Sequence, residues 1–277
     1  MKEEIRKMIA AVPETARNPG DYLGPDGLLY CGRCKTKKQF AGTMFGTPFL
    51  VPALCECEQK KLQEENEERR RREECNRIRA QKAVCIHDRA LLNATFEKDD
   101  GSLPQIRSAR RYVETWEERK KKNEGLLLWG DVGTGKTFFA GCIANALIER
   151  GVPVLMTNFS KILNQLSGMY TEDKNAFISG MMKYSLLIID DLGVERQTDY
   201  ALEQVYNIID ERYKTNLPLI VTTNLSLIHL QEPQNTAYKR IYDRILAMCV
   251  PIRFVGTSHR KAQASEKFAA CRADLLL

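Results

Sequence analysis

Apolar and polar positions alternate with two different periods along the second half of the chain. Short apolar runs bounded by polar or turn residues predict buried strands at residues 126–129, 152–157, 184–191, 219–224 and 250–255. The segments between these runs have the apolar spacing of amphipathic helices, which predicts helices at residues 138–147, 160–169, 170–183, 201–213 and 236–248. Strands that alternate with helices in this way predict an α/β fold in which helices flank a parallel sheet.

The first half of the chain has weaker periodicity and more turn residues. A short helical pattern in residues 1–22 is stopped by prolines, and a turn-rich segment with strand potential follows it. From residue 58 to about residue 83 the chain is charged and almost without an apolar stripe, which predicts a solvated linker helix, and residues 104–123 predict one further helix. The regions predicted are an N-terminal module at 1–57, a helical linker at 58–89, an α/β domain at 90–256 and a C-terminal tail at 257–277.

A phosphate-binding loop follows the first strand of the α/β region. The strand leads into the pattern G-x-x-x-x-G-K-T, and a helical pattern begins at once. Glycines let the backbone curl so that successive N–H groups point at one anion, and the helix N-terminus adds its positive end. We expect Lys136 to reach the β- and γ-phosphates of a nucleoside triphosphate and the Thr137 hydroxyl to ligate Mg²⁺. The residues expected to bind the nucleotide are Gly130, Asp131, Val132, Gly133, Thr134, Gly135, Lys136, Thr137, Phe138 and Asp190.

Polar side chains end the third and fourth of these strands. Parallel strands deliver functional residues at their carboxyl ends, so we expect Asp190 to accompany Mg²⁺ and Asp191 to orient an attacking water as a base. Asn224 suits two roles equally well, holding this water or ending a turn. Arg240 and Arg244 lie four residues apart on one predicted helix, where their spacing favours a salt-bridged surface over contact with a neighbouring subunit's γ-phosphate.

Two close pairs of cysteines flank the turn-rich segment of the N-terminal module. Four thiolates satisfy tetrahedral Zn²⁺, and the two pairs predict a small zinc ribbon with one pair at each of two hairpin tips. The metal would be structural, because so short a module has little core of its own. The predicted zinc ligands are Cys31, Cys34, Cys55 and Cys57.

Composition narrows the class of protein only slightly. The 277 residues carry a net charge of +6, a mild basic excess that favours a nucleic-acid partner only if the charge is localised. The nine cysteines are an odd number, which argues against a pure disulfide framework. No apolar run approaches membrane-spanning length, and the N-terminus lacks the apolar region of a signal peptide. We therefore expect a soluble cytoplasmic protein with no membrane partner.

Four motifs taken together resemble a known family. The segments GDVGTGKT, IIDDLG, VTTN and RIYDRI, in this order, resemble the AAA+ ATPases of the DnaC/DnaI helicase-loader group, and the transposition helper IstB is similar in the same motifs. The resemblance covers the α/β domain and implies a P-loop AAA+ core without the α-helical C-terminal lid. The roles it implies are Walker B for Asp190 and Asp191, sensor 1 for Asn224, and an arginine finger acting in trans for Arg244, with Arg240 beside it.

The resemblance also implies an activity and partners. It implies a weak ATPase stimulated by assembly or DNA, a ring or spiral homo-oligomer, a hexameric replicative DNA helicase bound through the N-terminal region, and single-stranded DNA bound through the AAA+ domain. DNA binding of this kind needs cations and aromatic rings. The candidates, each equally well an ordinary surface residue, are Lys161, Tyr170, Thr198 and Tyr200. Two alternatives stay open: an IstB-like transposition helper, and a zinc-ribbon nucleic-acid-binding regulator that uses ATP as a switch.

Overall fold

The computed structural model describes residues 18–44, 47–99, 104–193, 198–233, 235–256, 258–261, 264–265, 268 and 271–272. The chain divides into two compact units, Met1–Arg77 and Ile78–Leu277. The helix predicted at residues 1–22 rests on apolar positions that lie outside the described residues. None of the described helices is long and apolar enough to cross a membrane.

Two small antiparallel hairpins and the beginning of a long helix make up the described part of the first unit. The bounds are β1 Tyr22–Leu23, β2 Leu29–Tyr30, β3 Gln39–Met44, β4 Thr47–Pro52 and α1 Glu56–Cys85. Strand β1 pairs with β2, and β3 pairs with β4. Exposed ion pairs one helical turn apart, such as Lys61–Glu65 and Arg69–Glu73, run along α1 in place of an apolar stripe. The predicted charged helix is therefore confirmed, and it begins and ends slightly beyond the predicted limits.

A five-stranded parallel sheet forms the centre of the second unit. Its strands are β5 Gly125–Gly130, β6 Val154–Asn158, β7 Leu186–Leu192, β8 Leu219–Thr223 and β9 Cys249–Phe254. They lie in the order β6-β7-β8-β5-β9, and every pair is parallel. The predicted α/β fold is confirmed. All five predicted strands are present, with limits that differ from the prediction by at most two residues.

Helices cover both faces of this sheet. They are α2 Ile106–Glu114, α3 Trp116–Lys121, α4 Lys136–Glu149, α5 Phe159–Ser167, α6 Thr171–Met182, α7 Asp199–Lys214, α8 Leu227–Gln231 and α9 Thr236–Met248. The single helix predicted at residues 104–123 is wrong, because it breaks at Thr115. The Thr115 hydroxyl donates to the Arg111 carbonyl at 2.8 Å, and such back-bonding bends helices. The short helix α8, capped by Ser226, was not predicted.

The strands are buried on both sides, and neighbouring residues face different cores. Leu128 packs with α2, α3 and α4, whereas Leu127 packs with α5, α6, α7 and α9. Arg212 on α7 is fully buried and donates to the carbonyls of Tyr184, Ser185 and Pro218. These bonds fix the beginnings of β7 and β8.

Candidate functional site

The phosphate-binding loop turns between β5 and α4 on three glycines. Gly130, Gly133 and Gly135 have φ angles of 130°, 82° and 92°, in the region that favours glycine. A Cβ atom on Gly130 would lie 2.1 Å from the Phe254 carbonyl oxygen of the neighbouring strand, so no side chain fits there. The fixed glycines of the sequence pattern therefore have a steric reason, and the loop has the curled backbone that was predicted.

Lys136 lies at the centre of this loop. Its ammonium donates to the carbonyls of Gly130 at 2.9 Å and Asp131 at 2.6 Å. The side chain is buried, and burial lowers the pKa of Lys136 from its ordinary value, although the carboxylates of Asp191 and Asp131 oppose this. Among the described residues, the Lys136 ammonium donates only to neutral carbonyls, and such a buried cation is well suited to bind an anion.

A buried carboxylate lies beside the first turn of α4. One oxygen of Asp190 accepts hydrogen bonds from the hydroxyls of Thr137 at 3.0 Å and Thr222 at 2.6 Å. Burial raises the pKa of Asp190, and the neighbouring charge of Asp191 raises it further. Carboxylate and hydroxyl oxygens are the ligands that Mg²⁺ prefers. Thr137 and Asp190 therefore fit the predicted magnesium site in both placement and chemistry.

An irregularity in β7 aims the next carboxylate away from the strand. The register between β7 and β8 shifts between Ile189 and Leu192, and Asp191 has a φ of 57°. The Asp191 N–H donates to the Thr222 hydroxyl at 2.9 Å. Asp191 and Asn224 both line a cavity of about 320 Å³ that Lys136 and Thr137 also line. The structure thus brings together the residues predicted from three separate strand ends.

Two further segments line the same cavity, and the sequence pattern did not assign them. Asp88, Ala90 and Leu91 enter it from a short 3₁₀ turn, where Asp88 accepts a hydrogen bond from the Ala90 N–H. His259 and Arg260 enter it from the chain beyond β9, a region predicted only as a tail. The available signals were the capping residue Asp88 and the basic pair Arg260 and Lys261. Neither signal indicates which loop its segment will contact.

The two arginines of α9 do not line this cavity. Arg244 forms an ion pair with Asp210 at 2.6 Å, donates to the Tyr206 hydroxyl at 3.0 Å and lies over the Tyr206 ring. Arg240 lines a separate cavity of about 450 Å³ with Asp199 and Glu203 of α7. The salt-bridged surface favoured by spacing alone is present, with Asp210 as the partner. A role for either arginine at a neighbouring subunit stays a prediction.

The four candidate DNA contacts have different surroundings. Lys161 donates to the His87 carbonyl at 2.8 Å, and Thr198 caps α7 by accepting from the Ala201 N–H. Tyr170 is 85% exposed directly before α6, and Lys174, one turn later, lies over the Tyr200 ring. Lys161 and Thr198 therefore have structural roles, and the exposed aromatic surface lies at Tyr170.

The four predicted zinc ligands converge in the first unit. The sulfur atoms of Cys31, Cys34, Cys55 and Cys57 all lie within 4.8 Å of one another. A hydrogen bond with the Thr36 hydroxyl is the largest cause that lowers the pKa of the Cys34 thiol to about 5, whereas burial raises the pKa of the Cys55 thiol. Four thiols at this separation fit a tetrahedral zinc site. The cluster supports a small zinc module.

One detail of the predicted zinc ribbon is wrong. Cys31 and Cys34 lie in a turn after β2, but the second pair does not lie at a hairpin tip. Cys55 directly precedes α1, and Cys57 lies in its first turn. Cys55 lies before the helix and Cys57 within it, and their sulfur atoms are 3.3 Å apart with a single residue between them.

Comparisons with known proteins agree with this site. A family model described as IstB-like ATP binding protein matches residues 55–267. The replicative helicase loader DnaI of Bacillus subtilis (strain 168) is 26% identical over 185 residues, which cover 61% of this chain and 59% of that protein. An ATP-binding protein of an insertion sequence in Mycobacterium tuberculosis is 29% identical over 176 residues, which cover 60% of this chain and 64% of that protein. The chain thus spans about three fifths of the length of these relatives.

A solved structure supports the same relationship. The crystal structure of a DnaI protein is 28% identical, with a TM-score of 0.52, and the match covers 64% of this chain and 98% of that one. The family match extends over more than half of the chain and contains the phosphate loop, Asp190 and Asn224. The chain belongs to the family of IstB-like ATP-binding proteins and is homologous to the DnaI/DnaC helicase loaders.

Proposed function

We propose that this chain is an ATP-dependent loader of a replicative DNA helicase. The observation that carries the proposal is the cluster of Lys136, Thr137 and Asp190 in a domain that is similar to the helicase loader DnaI. A loader must hold its partner and then release it. A site that distinguishes a triphosphate from a diphosphate supplies such a switch, because the two differ by one charged group.

Hydrolysis of ATP to ADP and phosphate follows from the placement of the polar groups. Lys136 would bind the β- and γ-phosphates. Thr137 and Asp190 would hold Mg²⁺, which when bound would supply positive charge against the charge that develops on the phosphates. Asp191 orients the attacking water, and Asn224 holds that water from the neighbouring strand end. Both side chains line the cavity that contains the phosphate loop, which is the geometric requirement for these roles.

Assembly completes the site in this proposal. Arg240 and Arg244 are absent from the described lining of their own protomer's cavity, so we expect a single chain to hydrolyse ATP weakly. In a ring or spiral, Arg244 reaches the γ-phosphate of a neighbouring subunit, with Arg240 beside it. Asp210 holds Arg244 within its own protomer, so the neighbour's phosphate must compete with this carboxylate. Turnover therefore rises with assembly or on DNA.

The remaining regions supply the partners. A module at residues 1–57, held by zinc on its four cysteines, binds the helicase. The linker region at 58–89 joins this module to the ATPase domain at 90–256, and a tail follows at 257–277. Single-stranded DNA contacts the ATPase domain near Tyr170, where an exposed ring and the nearby Lys174 offer stacking and charge. Lys161, Thr198 and Tyr200 are secondary candidates for contact with DNA.

The test is loading of a replicative helicase onto circular single-stranded DNA coated with its binding protein. The intact chain with ATP is expected to raise the amount of bound helicase, and Lys136→Ala is expected to abolish this together with nucleotide binding. Lys121→Ala, which removes an exposed lysine of α3, is the matched control and should load normally. Loading that is independent of ATP and of Lys136 would contradict the proposal.

A transposition helper is the second candidate. The similarity to the insertion-sequence protein of Mycobacterium tuberculosis favours it. Such a helper is expected to bind duplex DNA and a transposase in preference to single-stranded DNA and a helicase. Parallel binding measurements on the two DNA forms, each with ATP and with ADP, decide between the candidates.

A further inference from the structure

Two tyrosine rings lie stacked on the first hairpin of the first unit. Tyr22 on β1 is directly opposite Tyr30 on β2, and the ring centroids are 5.8 Å apart with 24° between the ring planes. Tyr22 is 42% exposed, so much of its ring is accessible to solvent. A cross-strand aromatic pair also stabilises its own hairpin, and the rings alone therefore do not indicate a ligand.

Two lysines lie over these rings. The Lys35 ammonium is 5.0 Å from the centroid of the Tyr22 ring, and the Lys37 ammonium is 5.9 Å from the centroid of the Tyr30 ring. Both lysines are exposed, and each contact has the geometry of a cation–π interaction. A lysine ammonium lies on a flexible stem and can move from the ring to an anion. The same surface therefore offers a ligand both aromatic rings and positive charge.

The backbone of Lys35 has a conformation that disfavours a side chain. Its φ is 59°, in the left-handed region that favours glycine, and at two other such positions of this unit the chain has Gly20 and Gly27. The Lys35 ammonium donates to the Gly32 carbonyl at 2.7 Å, and none of the described residues forms an ion pair with it. A side chain kept at the cost of backbone strain indicates that the side chain has a function.

The turn before Lys35 adds a second positive charge. Arg33 is exposed in this turn, between the two cysteines of the first pair. Lys37 forms an ion pair with Asp26 at 2.9 Å, whereas no carboxylate among the described residues pairs with Arg33 or Lys35. These two charges are therefore available to an anionic ligand.

Aromatic rings and cations on one surface match the two parts of a nucleic acid strand. Unpaired bases stack on aromatic side chains, while lysine and arginine hold the phosphates. The bases of a duplex are already stacked on their neighbours, so only a single strand can offer a base face to a tyrosine ring. The chemistry therefore favours a single-stranded ligand.

We propose that the surface formed by Tyr22, Tyr30, Arg33, Lys35 and Lys37 binds single-stranded nucleic acid. A base takes the place of the Lys35 ammonium on the Tyr22 ring, and the ammonium then contacts the adjoining phosphate. This contact is additional to the one proposed in the ATPase domain. It goes beyond the proposed function, because it depends neither on ATP nor on the helicase.

Photocrosslinking of the full, unaltered chain maps this contact without any substitution. A single strand of about 12 nucleotides that carries iodouracil is irradiated with the chain in the absence of ATP, and the product is digested with trypsin. We expect a crosslink in the tryptic peptide at residues 18–33, which contains both tyrosines. DNA and RNA strands are compared, and the higher yield identifies the natural ligand. A duplex of the same sequence should give a yield about fivefold lower or less.

Substitutions of Lys35 separate binding from folding. Lys35→Gly removes the cation but also relaxes the backbone, so amide hydrogen exchange at residues 28–39 should be no faster than in the unaltered chain. The crosslink yield should nevertheless fall about threefold or more, because a phosphate contact is lost. Lys35→Arg keeps the charge and should keep most of the yield. Lys60→Ala removes an exposed lysine of α1 and is the matched control, with an unchanged yield.

Three results would overturn the proposal. The first is a crosslink map confined to peptides of the second unit, and the second is an equal yield at residues 18–33 with the duplex. The third is a chain with Lys35→Gly that crosslinks as well as the unaltered chain. If the peptide at 18–33 gives no crosslink but Lys35→Gly weakens helicase binding, the surface is a protein contact and the proposal is likewise overturned. None of these results alters the ATP site, so the proposed loading function is decided by its own test.

Discussion

Replacing Asn145 by alanine tests how the nucleotide cavity is built. Asn145 is buried on α4, and its amide donates to the carbonyls of Leu91 at 2.8 Å, Ala94 at 3.0 Å and Gly141 at 2.9 Å. The first two belong to the segment that brings Asp88 to the cavity. The Asn145 amide therefore ties this segment to the helix that follows the phosphate loop, and the substitution removes this donor.

The size of the effect follows from the acceptors left behind. The Leu91 carbonyl oxygen also accepts a hydrogen bond from the Ala94 N–H, so it keeps a partner after the substitution. The Ala94 carbonyl oxygen is therefore the acceptor that is most affected. An orphaned buried acceptor costs about 1–3 kcal/mol, and removal of the Asn145 Oδ1, which is buried without a partner among the described residues, returns about 1 kcal/mol. Loss of the second bond to the segment, which joins Asn145 to the Leu91 carbonyl, costs about 1 kcal/mol more. We therefore expect a loss of about 2 kcal/mol in the free energy of unfolding.

Urea unfolding followed by tryptophan fluorescence measures this loss. The two tryptophans of the chain, Trp116 and Trp129, both belong to the second unit, so their signal reports on the α/β region alone. With an m-value of about 2 kcal/mol/M, the midpoint should fall by about 1 M. ATP affinity should fall by up to about tenfold. This factor corresponds to a loss of about 1.4 kcal/mol of binding free energy, caused by the loosened segment at the cavity.

The control removes an asparagine that has no such role. Asn175 is exposed on α6, and Asn175→Ala should change the free energy of unfolding by no more than about 0.5 kcal/mol. An Asn145→Ala chain with an unchanged urea midpoint would refute the hydrogen-bond argument. A lowered midpoint with unchanged ATP affinity would refute the claim that this segment shapes the nucleotide cavity.

Three other predictions concern charge and metal. Arg244→Ala should leave ATP affinity within about twofold and lower turnover of the assembled chain about a thousandfold, and unchanged turnover would contradict the arginine finger. Because burial raises the pKa of Asp190, this group lowers the stability of the unaltered chain as pH rises from the ordinary aspartate range through the raised pKa. Asp190→Asn should abolish that pH dependence in urea unfolding and also abolish Mg²⁺-dependent ATP binding. Cys57→Ser should lower the zinc content of the purified chain and its binding to helicase while ATP affinity persists; zinc retention at the original stoichiometry would exclude Cys57 as a ligand.

The sequence was sufficient for those parts of the site that lie on regular elements. The phosphate loop, Asp190 and Asn224 all follow apolar strands, and the rule that parallel strands deliver residues at one edge places them together. Asp88 and Arg260 were missed because their positions depend on contacts between segments far apart in sequence. The Asn145 amide donates to the Leu91 and Ala94 carbonyls, and the His259 N–H donates to the Gly133 carbonyl. Hydrogen bonds of this kind leave no periodic pattern in the sequence.

Errors in the fold have local causes of the same kind. The apolar spacing around Thr115 continues through the break, where the Thr115 hydroxyl donates to the Arg111 carbonyl. The second cysteine pair was placed at a hairpin tip because a β-capable segment precedes it. The helix that follows begins early enough to include Cys57, and helix limits are the least certain part of any such prediction.

The hydroxyl of Thr222 connects the carboxylate of Asp190, the proposed magnesium ligand, to the backbone of Asp191, the proposed base. The Thr222 hydroxyl donates to Asp190 and accepts from the Asp191 N–H, so the direction of both bonds is fixed. A change in charge at Asp190 alters the polarity of that hydroxyl and so reaches the peptide that holds Asp191 in its left-handed conformation. Thr222→Ser would preserve the hydroxyl that connects the two residues, whereas Thr222→Val, which keeps the shape of the side chain, would remove it. An amide proton of Asp191 would therefore be a spectroscopic reporter of metal occupancy, readable by nuclear magnetic resonance without any movement of a domain.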